Sequence, residues 1–341
     1  MTSADSPAQS MSRIWEELEQ RAVAEAGSSS RSYRRLDLKR ETGIRLGCTS
    51  PEGVWELLVE SGDASDSFSV EFPKWKGMEF EILRLDVPRK DSLHIRLFLQ
   101  HPEHRNIFVT VCSDLIRGLD GCLTSESRRR EIINFLAKWG RFFERHGQEG
   151  LSAEHQRGLY GELWWLRKLA ESGMPSSFAV NSWIGCRGGY HDFDISGYLV
   201  EVKTTMTKEP RKVVISNERQ LDDLGLNMLH LFVLTIAELE RGGESLPEII
   251  QSLRGNFAGE PSSSLFESSL LEAGYLDFHA RLYRRSYRVV KEELFHVTGG
   301  FPRLIRLPAG VGDLRYSIVL AACPPFEREI SIFLKNLVGV A

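Results

Sequence analysis

The sequence predicts an α/β core, a mixed sheet flanked by helices, with a β-rich N-terminal domain before it and a small α+β region after it. Three observations carry that reading. Between Leu151 and Leu239 the pattern runs helix, strand, strand, strand, helix, strand, an order that lays helices against a sheet. Between Tyr33 and Val111 the apolar residues come in short runs bounded by Gly, Pro, Asp or Ser, which is the punctuation of strands. Beyond Gly259 one helical run is followed by Arg-rich and aromatic runs of strand type.

The elements follow in order. Residues 1–12 are Ser-, Ala- and Pro-rich and are expected to be a disordered tail. Residues 13–150 form the N-terminal domain. Its first helix is expected from Arg13 to Ala26, ended by GSSSRS. The runs VWELLVE, FSVEF, FEILRLDV, LHIRLFL and IFVTVC are expected strands, with Trp55 and Trp75 packing them. From Ser125 to His146, Ile132, Leu136, Trp139 and Phe143 recur at helical spacing and predict the closing helix. The core, 151–258, opens with the helix SAEHQRGLYGELWWLRKLAESG, capped by Ser152 and stopped by Gly173 and Pro175. YHDFDIS, YLVEVKTT and KVVIS are its next strands, NERQLDDL starts a polar helix, and the apolar LHLFVLTIAEL is a buried strand. The C-terminal region, 259–341, is expected to hold the helix LFESSLLEAG, the strand ARLYRRSYRVV, and strands near Phe295 and Tyr316.

Composition narrows the function classes. The 341 residues are 42% hydrophobic and 26% charged, as in ordinary globular proteins. With 43 Lys+Arg against 47 Asp+Glu the formal charge is −4, which excludes a globally basic nucleic-acid coat but not a local basic groove. No apolar run approaches the roughly 20 residues of a membrane helix, so no membrane partner is expected. The N-terminus lacks the basic start and apolar core of a signal peptide. Five cysteines, with no pair in CxxC spacing, give neither a disulfide framework nor a thiolate zinc site; free thiols in a reducing cytoplasm are expected. His101 and His104 are read as loop histidines because Pro102 breaks any helix between them. No GxGxxG follows a strand and no phosphate-loop motif is present.

The chemistry concentrates in HDFDISGYLVEVKTT, His191 to Thr205. With Gly197 and Tyr198 as the two central residues of a tight turn, Asp194 faces Glu201 and Asp192 faces Lys203. Alternation along the strands then puts Phe193, Ile195, Val200 and Val202 on one face, and Asp192, Asp194, Glu201 and Lys203 on the other. Like charges about 4 Å apart repel by roughly 4 kcal/mol at an effective dielectric of about 20. One lysine offsets part of this for three carboxylates; a hard divalent cation such as Mg²⁺ removes it. On the preceding helix Glu162 falls inside the apolar stripe of Leu159, Leu163, Leu166 and Ala170, where a carboxylate needs a partner.

At these residues the chain resembles the PD-(D/E)XK nuclease superfamily, and GLYGELWWLRKL, W-x-G, HDF and EVKTT are similar to the bacterial family labelled "PD-(D/E)XK motif protein". The resemblance is strongest over Leu151–Leu224. It implies a restriction-endonuclease-like core and a cytoplasmic, Mg²⁺-dependent endonuclease that hydrolyses DNA, with Mn²⁺ able to substitute. It also implies a setting in restriction or phage defence, with other restriction or defence subunits as partners. Glu162, Asp192 and Glu201 would bind the metal, with the Val202 carbonyl, and Lys203 would be the catalytic lysine. Ser216 and Gln220 match residues that contact the scissile phosphate or support the lysine. The proline of the eponymous motif is absent and His191 stands before Asp192. The drawn register favours Asp194 as the second acid, whereas HDF in the resemblance favours Asp192.

Nucleic-acid contact is expected from Lys208, Arg211 and Lys212 after the EVK strand, and from Arg284, Arg285 and Arg288, interleaved with Tyr283 and Tyr287 for stacking. Arg128, Arg129 and Arg130 open a helix where its dipole disfavours cations, which suggests an external partner. A homodimer is expected if a one-site enzyme cuts both strands. Three readings compete: a surface hairpin of solvated, salt-bridged charges, a catalytically silent DNA-binding or assembly subunit of a restriction complex, and an RNA nuclease that differs only in substrate.

Overall fold

A computed structural model describes residues 7–24, 30–36, 43–63, 71–75, 77–86, 92–146, 149–222, 228–259, 261–304, 308, 311–312 and 314–339. The chain divides into two compact units, Met1–Gln148 and Glu149–Ala341.

In the first unit, helix α1 (Pro7–Ala24) precedes strands β1 (Ser30–Arg35), β2 (Ile44–Ser50), β3 (Trp55–Asp63), β4 (Met78–Leu85) and β5 (Ser92–Leu99), then helices α2 (Arg105–Leu119) and α3 (Ser125–His146). The strands form one antiparallel sheet in the order β1-β2-β3-β5-β4. Trp15 on α1 stacks on Trp55 at 5.4 Å, and Trp75 packs edge-on against Phe135 and Phe143 of α3, so both expected tryptophans are core residues. Three expectations are corrected here. The first helix starts at Pro7, so residues 7–12 are helical rather than a disordered tail. IFVTVC is helix, not strand: Ile107, Phe108, Val111, Cys112 and Leu115 are buried at helical spacing on α2, and that burial outweighs the β-propensity of the run. Arg128 and Arg129 do not wait for a partner; Arg128 donates to the Glu60 carbonyl, Arg129 to that of Ser61, and Arg130 pairs with Glu126. The FSVEF run lies mostly outside the described residues.

The sheet of this unit contains a buried carboxylate, Glu56, paired with Arg96, which also holds Glu81 at 2.5 Å. Arg96→Ala leaves Glu56 buried without a counter-charge and is expected to cost about 3 kcal/mol. Urea unfolding of the full chain, read by tryptophan fluorescence, checks this; an unchanged midpoint contradicts it.

In the second unit, α4 (Ala153–Glu171) and α5 (Ser176–Ser182) lead to β6 (Phe193–Ile195), β7 (Tyr198–Met206), β8 (Lys212–Ile215), β9 (Leu229–Leu239) and β10 (Glu244–Ser245). Helices α6 (Leu246–Asn256) and α7 (Ser262–Glu272) follow, then β11 (Ser286–His296), β12 (Tyr316–Val319), β13 (Glu327–Arg328) and α8 (Ile330–Val338). The sheet order is β10-β11-β9-β7-β6, with β13 on β11. β7 and β9 are parallel and the other pairs antiparallel, so this is a mixed sheet with helices packed on it, an α/β core. Residues 259–341 supply β11 to that sheet.

Both faces of β7 are covered. On one, Val200 and Val202 pack in a core with Leu163, Leu166 and Phe232. On the other, Leu199 packs with Val213, Ile215, Leu221 and Leu231 beneath the β8–β12 ribbon. The hairpin is therefore no solvated surface ribbon. Ser152 caps α4 as expected, accepting from the His155 amide. Helices α5, α6 and α8 are additions to the expected elements. The expected Arg-rich strand begins only at Ser286; residues 277–282 form a 3₁₀ turn.

Candidate active site

The hairpin turn is Ser196–Gly197, not Gly197–Tyr198. Ser196 and Gly197 have φ of 51° and 89°, the left-handed pair that a two-residue turn of primed type requires. The ladder pairs Phe193 with Val200, Asp194 with Leu199 and Ile195 with Tyr198. This differs from the expected register by two residues, an even step, so every side chain keeps its face. The consequence falls on the acids. Asp194 sits beside the turn, exposed, and its Oδ1 accepts the Gly197 amide at 2.9 Å. Continuing the register one residue past Phe193 brings Asp192 beside Glu201.

At that point β6 has ended and the edge of β7 is open. The Val202 amide, which a longer β6 would have bound, donates instead to Asp192 Oδ2 at 2.8 Å. The Asp192 carbonyl accepts the amides of Ile184 and Gly185 at 2.9 and 3.0 Å. A Cβ on Gly185 would meet Asp192 Oδ1 at 2.6 Å and its Cα at 2.9 Å, so the glycine of W-x-G is what lets Asp192 approach. Gly185→Ala is expected to destabilise the protein by about 1–3 kcal/mol through that overpacking; chemical denaturation measures it, and wild-type stability would show the contact to be soft.

Glu162 arrives from α4. A Cβ on Gly161 would overlap Thr204 Oγ1, so a glycine in mid-helix permits the close approach of α4 to β7. Trp183, the tryptophan of W-x-G, donates Nε1–H to Glu162 Oε2 at 2.7 Å. Glu201 is 0% exposed. Lys203 Nζ lies 2.6 Å from Glu201 Oε1 as an ion pair, and no other polar group bonds either Glu201 oxygen. On the far side Lys203 donates to Gln220 Oε1 at 3.3 Å, and that oxygen also accepts the Ser216 amide at 2.9 Å.

The electrostatics follow from this burial. Desolvation and then Asp192 push Glu162 up to about 8. Desolvation and then Asp192 also hold Glu201 well above the usual carboxylate range. Asp192 is raised by desolvation, opposed by Lys203. Burial opposes the charge on Lys203, but Glu201 and Asp192 more than offset it, so it stays an ammonium. Glu162, Asp192, Glu201, Lys203 and Gln220 are thus brought together, and Asp194 is held apart at the turn.

Among the described residues no group of three His, Cys, Asp or Glu side chains stands ready to hold a metal ion. The reason is visible in the bonds: Trp183, the Val202 amide and Lys203 each draw one acid toward a different donor. The donor set is nevertheless all carboxylate oxygen, with a buried Glu201 held only by Lys203, and that chemistry fits a hard divalent cation.

The expected nucleic-acid residues disperse. Lys208, Lys212 and Arg288 are exposed. Arg211 is structural, held by Glu293 at 2.5 Å and by Thr235. Arg284 and Arg285 line an open pocket of about 590 Å³ with Met206 and Leu282, and Arg285 pairs with Glu238. Tyr283 and Tyr287 are buried at 3% and 1% and offer no stacking surface; Tyr283 accepts the Leu151 amide and Tyr287 packs on Tyr160. Missed from the sequence were the parts played by Gly161, Trp183 and Gly185. An isolated glycine inside a helical run was the signal available for the first.

A family model described as "Putative PD-(D/E)XK family member, (DUF4420)" matches residues 11–321. The chain belongs to this family. Membership in a PD-(D/E)XK family points to nuclease-type chemistry. No curated protein and no solved structure matches the chain.

Proposed function

We propose that this chain is a Mg²⁺-dependent endonuclease of restriction-endonuclease-like fold that hydrolyses DNA phosphodiester bonds, in a bacterial restriction or phage-defence setting. The observation that carries the reading is the burial of Glu201, with Lys203 as its sole polar partner among the described residues, beside Asp192 and Glu162, while Gln220 holds the ammonium in place. Glu162, Asp192 and Glu201, with the Val202 carbonyl, would hold the ion; when bound it supplies positive charge to the phosphate and lowers the pKa of water. Lys203 is a donor rather than a base, since its neighbours keep it protonated. It orients the attacking water or neutralises charge on a non-bridging oxygen. Gln220 fixes the direction of that ammonium by binding both it and the Ser216 amide. The test is nicking of supercoiled plasmid with Mg²⁺ or Mn²⁺ against a chelator.

One observation favours the second reading, a catalytically silent DNA-binding subunit: the acids are each engaged by a separate donor and, among the described residues, no three stand ready for an ion. DNA binding without cleavage under either metal supports that reading and removes the first.

A further inference from the structure

Beside the acids stands an exposed pair that the chemistry above does not use. Tyr190 is 60% exposed, two residues before Asp192. Arg219, also exposed, is the neighbour of Gln220. The Arg219 Nη1 donates to the Tyr190 hydroxyl at 2.8 Å, and its guanidinium lies 5.3 Å from the centre of the tyrosine ring. The pair therefore bridges the loop that anchors Asp192 to the turn that anchors Lys203.

Both backbones are fixed. Gly188 has φ of 83°, the Gly189 amide donates to the Ile184 carbonyl at 3.2 Å, and Ile184 in turn donates to the Asp192 carbonyl. Arg219 follows Asn217, whose Oδ1 accepts the Arg219 amide at 2.9 Å. Exposed aromatic area of this size is not needed by the fold, and an exposed pair contributes little stability. The bond to Tyr190 takes one donor of a guanidinium that carries five, which leaves others to meet an anion. The ring has the guanidinium beside it and stays largely exposed.

We infer that Tyr190 and Arg219 form the subsite for the nucleotide adjoining the scissile phosphate: Arg219 binds its phosphate and Tyr190 stacks on its base. The inference rests on the nuclease reading for the place of the scissile phosphate, and it adds a substrate property. A base can stack on Tyr190 only when it is out of its own duplex, so the preferred DNA is single-stranded or frayed at the cut.

The test is fluorescence anisotropy of the full chain in a chelator, with a labelled single-stranded oligonucleotide and with its duplex. Tyr190→Ala is expected to weaken single-strand binding about 5- to 100-fold, the range for loss of one stacked base, and duplex binding much less. Tyr190→Phe keeps the stack and is expected to bind as wild type. Arg219→Ala is expected to weaken both and to lower the salt dependence by about one phosphate contact. Wild-type affinity in both alanine variants overturns the subsite, as does an equal loss on single strand and duplex in Tyr190→Ala. Plasmid nicking by wild type, run beside these, separates the two proposals: cleavage with unaffected binding in the variants sinks the subsite alone, and impaired binding without cleavage under any metal sinks the nuclease reading and leaves Tyr190 and Arg219 as a DNA-binding pair with no scissile phosphate to adjoin.

Discussion

Lys203→Ala is expected to lower metal-dependent DNA cleavage about 100- to 1,000-fold, the usual cost of deleting a preorganised donor to developing charge. The position warrants an effect of that size. Lys203 lies in a water-poor site, 2.6 Å from Glu201 and 3.3 Å from Gln220, and neighbouring acids keep it charged. Its charge is therefore fixed in direction before substrate arrives, and little reorganisation is left for the reaction step. Gln220→Ala acts only through the lysine. It is expected to cost about tenfold, and to cost nothing further in the Lys203→Ala background, because coupled residues are not additive. Circular dichroism of each variant separates loss of chemistry from loss of fold. Wild-type nicking rates in a folded Lys203→Ala protein would remove the mechanism, whatever the fate of the metal site.

How far the residues themselves foretold this site differs by kind of information. Alternation along a strand is robust: the predicted register was two residues off, yet Glu201 and Lys203 stayed on the face assigned to them, since only an odd slip reverses faces. The turn was misplaced because a positive φ at Ser196 is uncommon for a residue with a Cβ, and Gly197 alone was taken as the turn signal. That small error decided which aspartate met Glu201. The length of the closing helix α3, Ser125–His146, was legible because its periodicity is long and uninterrupted. The IFVTVC run reads as a strand because five of its six residues are β-branched or aromatic and look alike in a strand and on a helix; only the continuation to Leu115 and Leu119 reveals the helical stripe. Burial was the least legible property. Tyr283 and Tyr287 looked like a stacking surface beside arginines, and a solvated hairpin stood as a competing reading for the face of Glu201, because nothing local to those residues says that the β8–β12 ribbon covers one face of β7 and α4 approaches the other.

That burial makes the protein's stability depend on pH in a direction opposite to the common one. Carboxylates in most folded proteins are stabilised by partners and are lost on acidification. Here Glu162 rises to about 8 and Glu201 and Asp192 rise with it, so the folded chain binds protons that the unfolded chain releases. Stability from these groups is then highest near the unfolded carboxylate pKa, about 4.5, and falls as pH climbs toward the folded value of about 8. A tenfold difference in proton affinity between folded and unfolded chains corresponds to about 1.4 kcal/mol, so the metal-free protein is expected to lose several kcal/mol across that window. Lys203 adds no slope there, since a raised ammonium pKa affects stability only above the usual lysine value. A divalent ion competes with the same protons. The rise in melting temperature on adding Mg²⁺ or Mn²⁺ is thus expected to be small near pH 5 and large near pH 8. Glu201→Gln is expected to flatten the metal-free slope and to reduce the metal effect together, because one carboxylate is responsible for part of both. Thermal melts in chelator and in metal across this range decide the matter. A metal effect independent of pH, or one unchanged in Glu201→Gln, would place any bound ion away from these acids and leave the pocket as a buried ion pair of structural use.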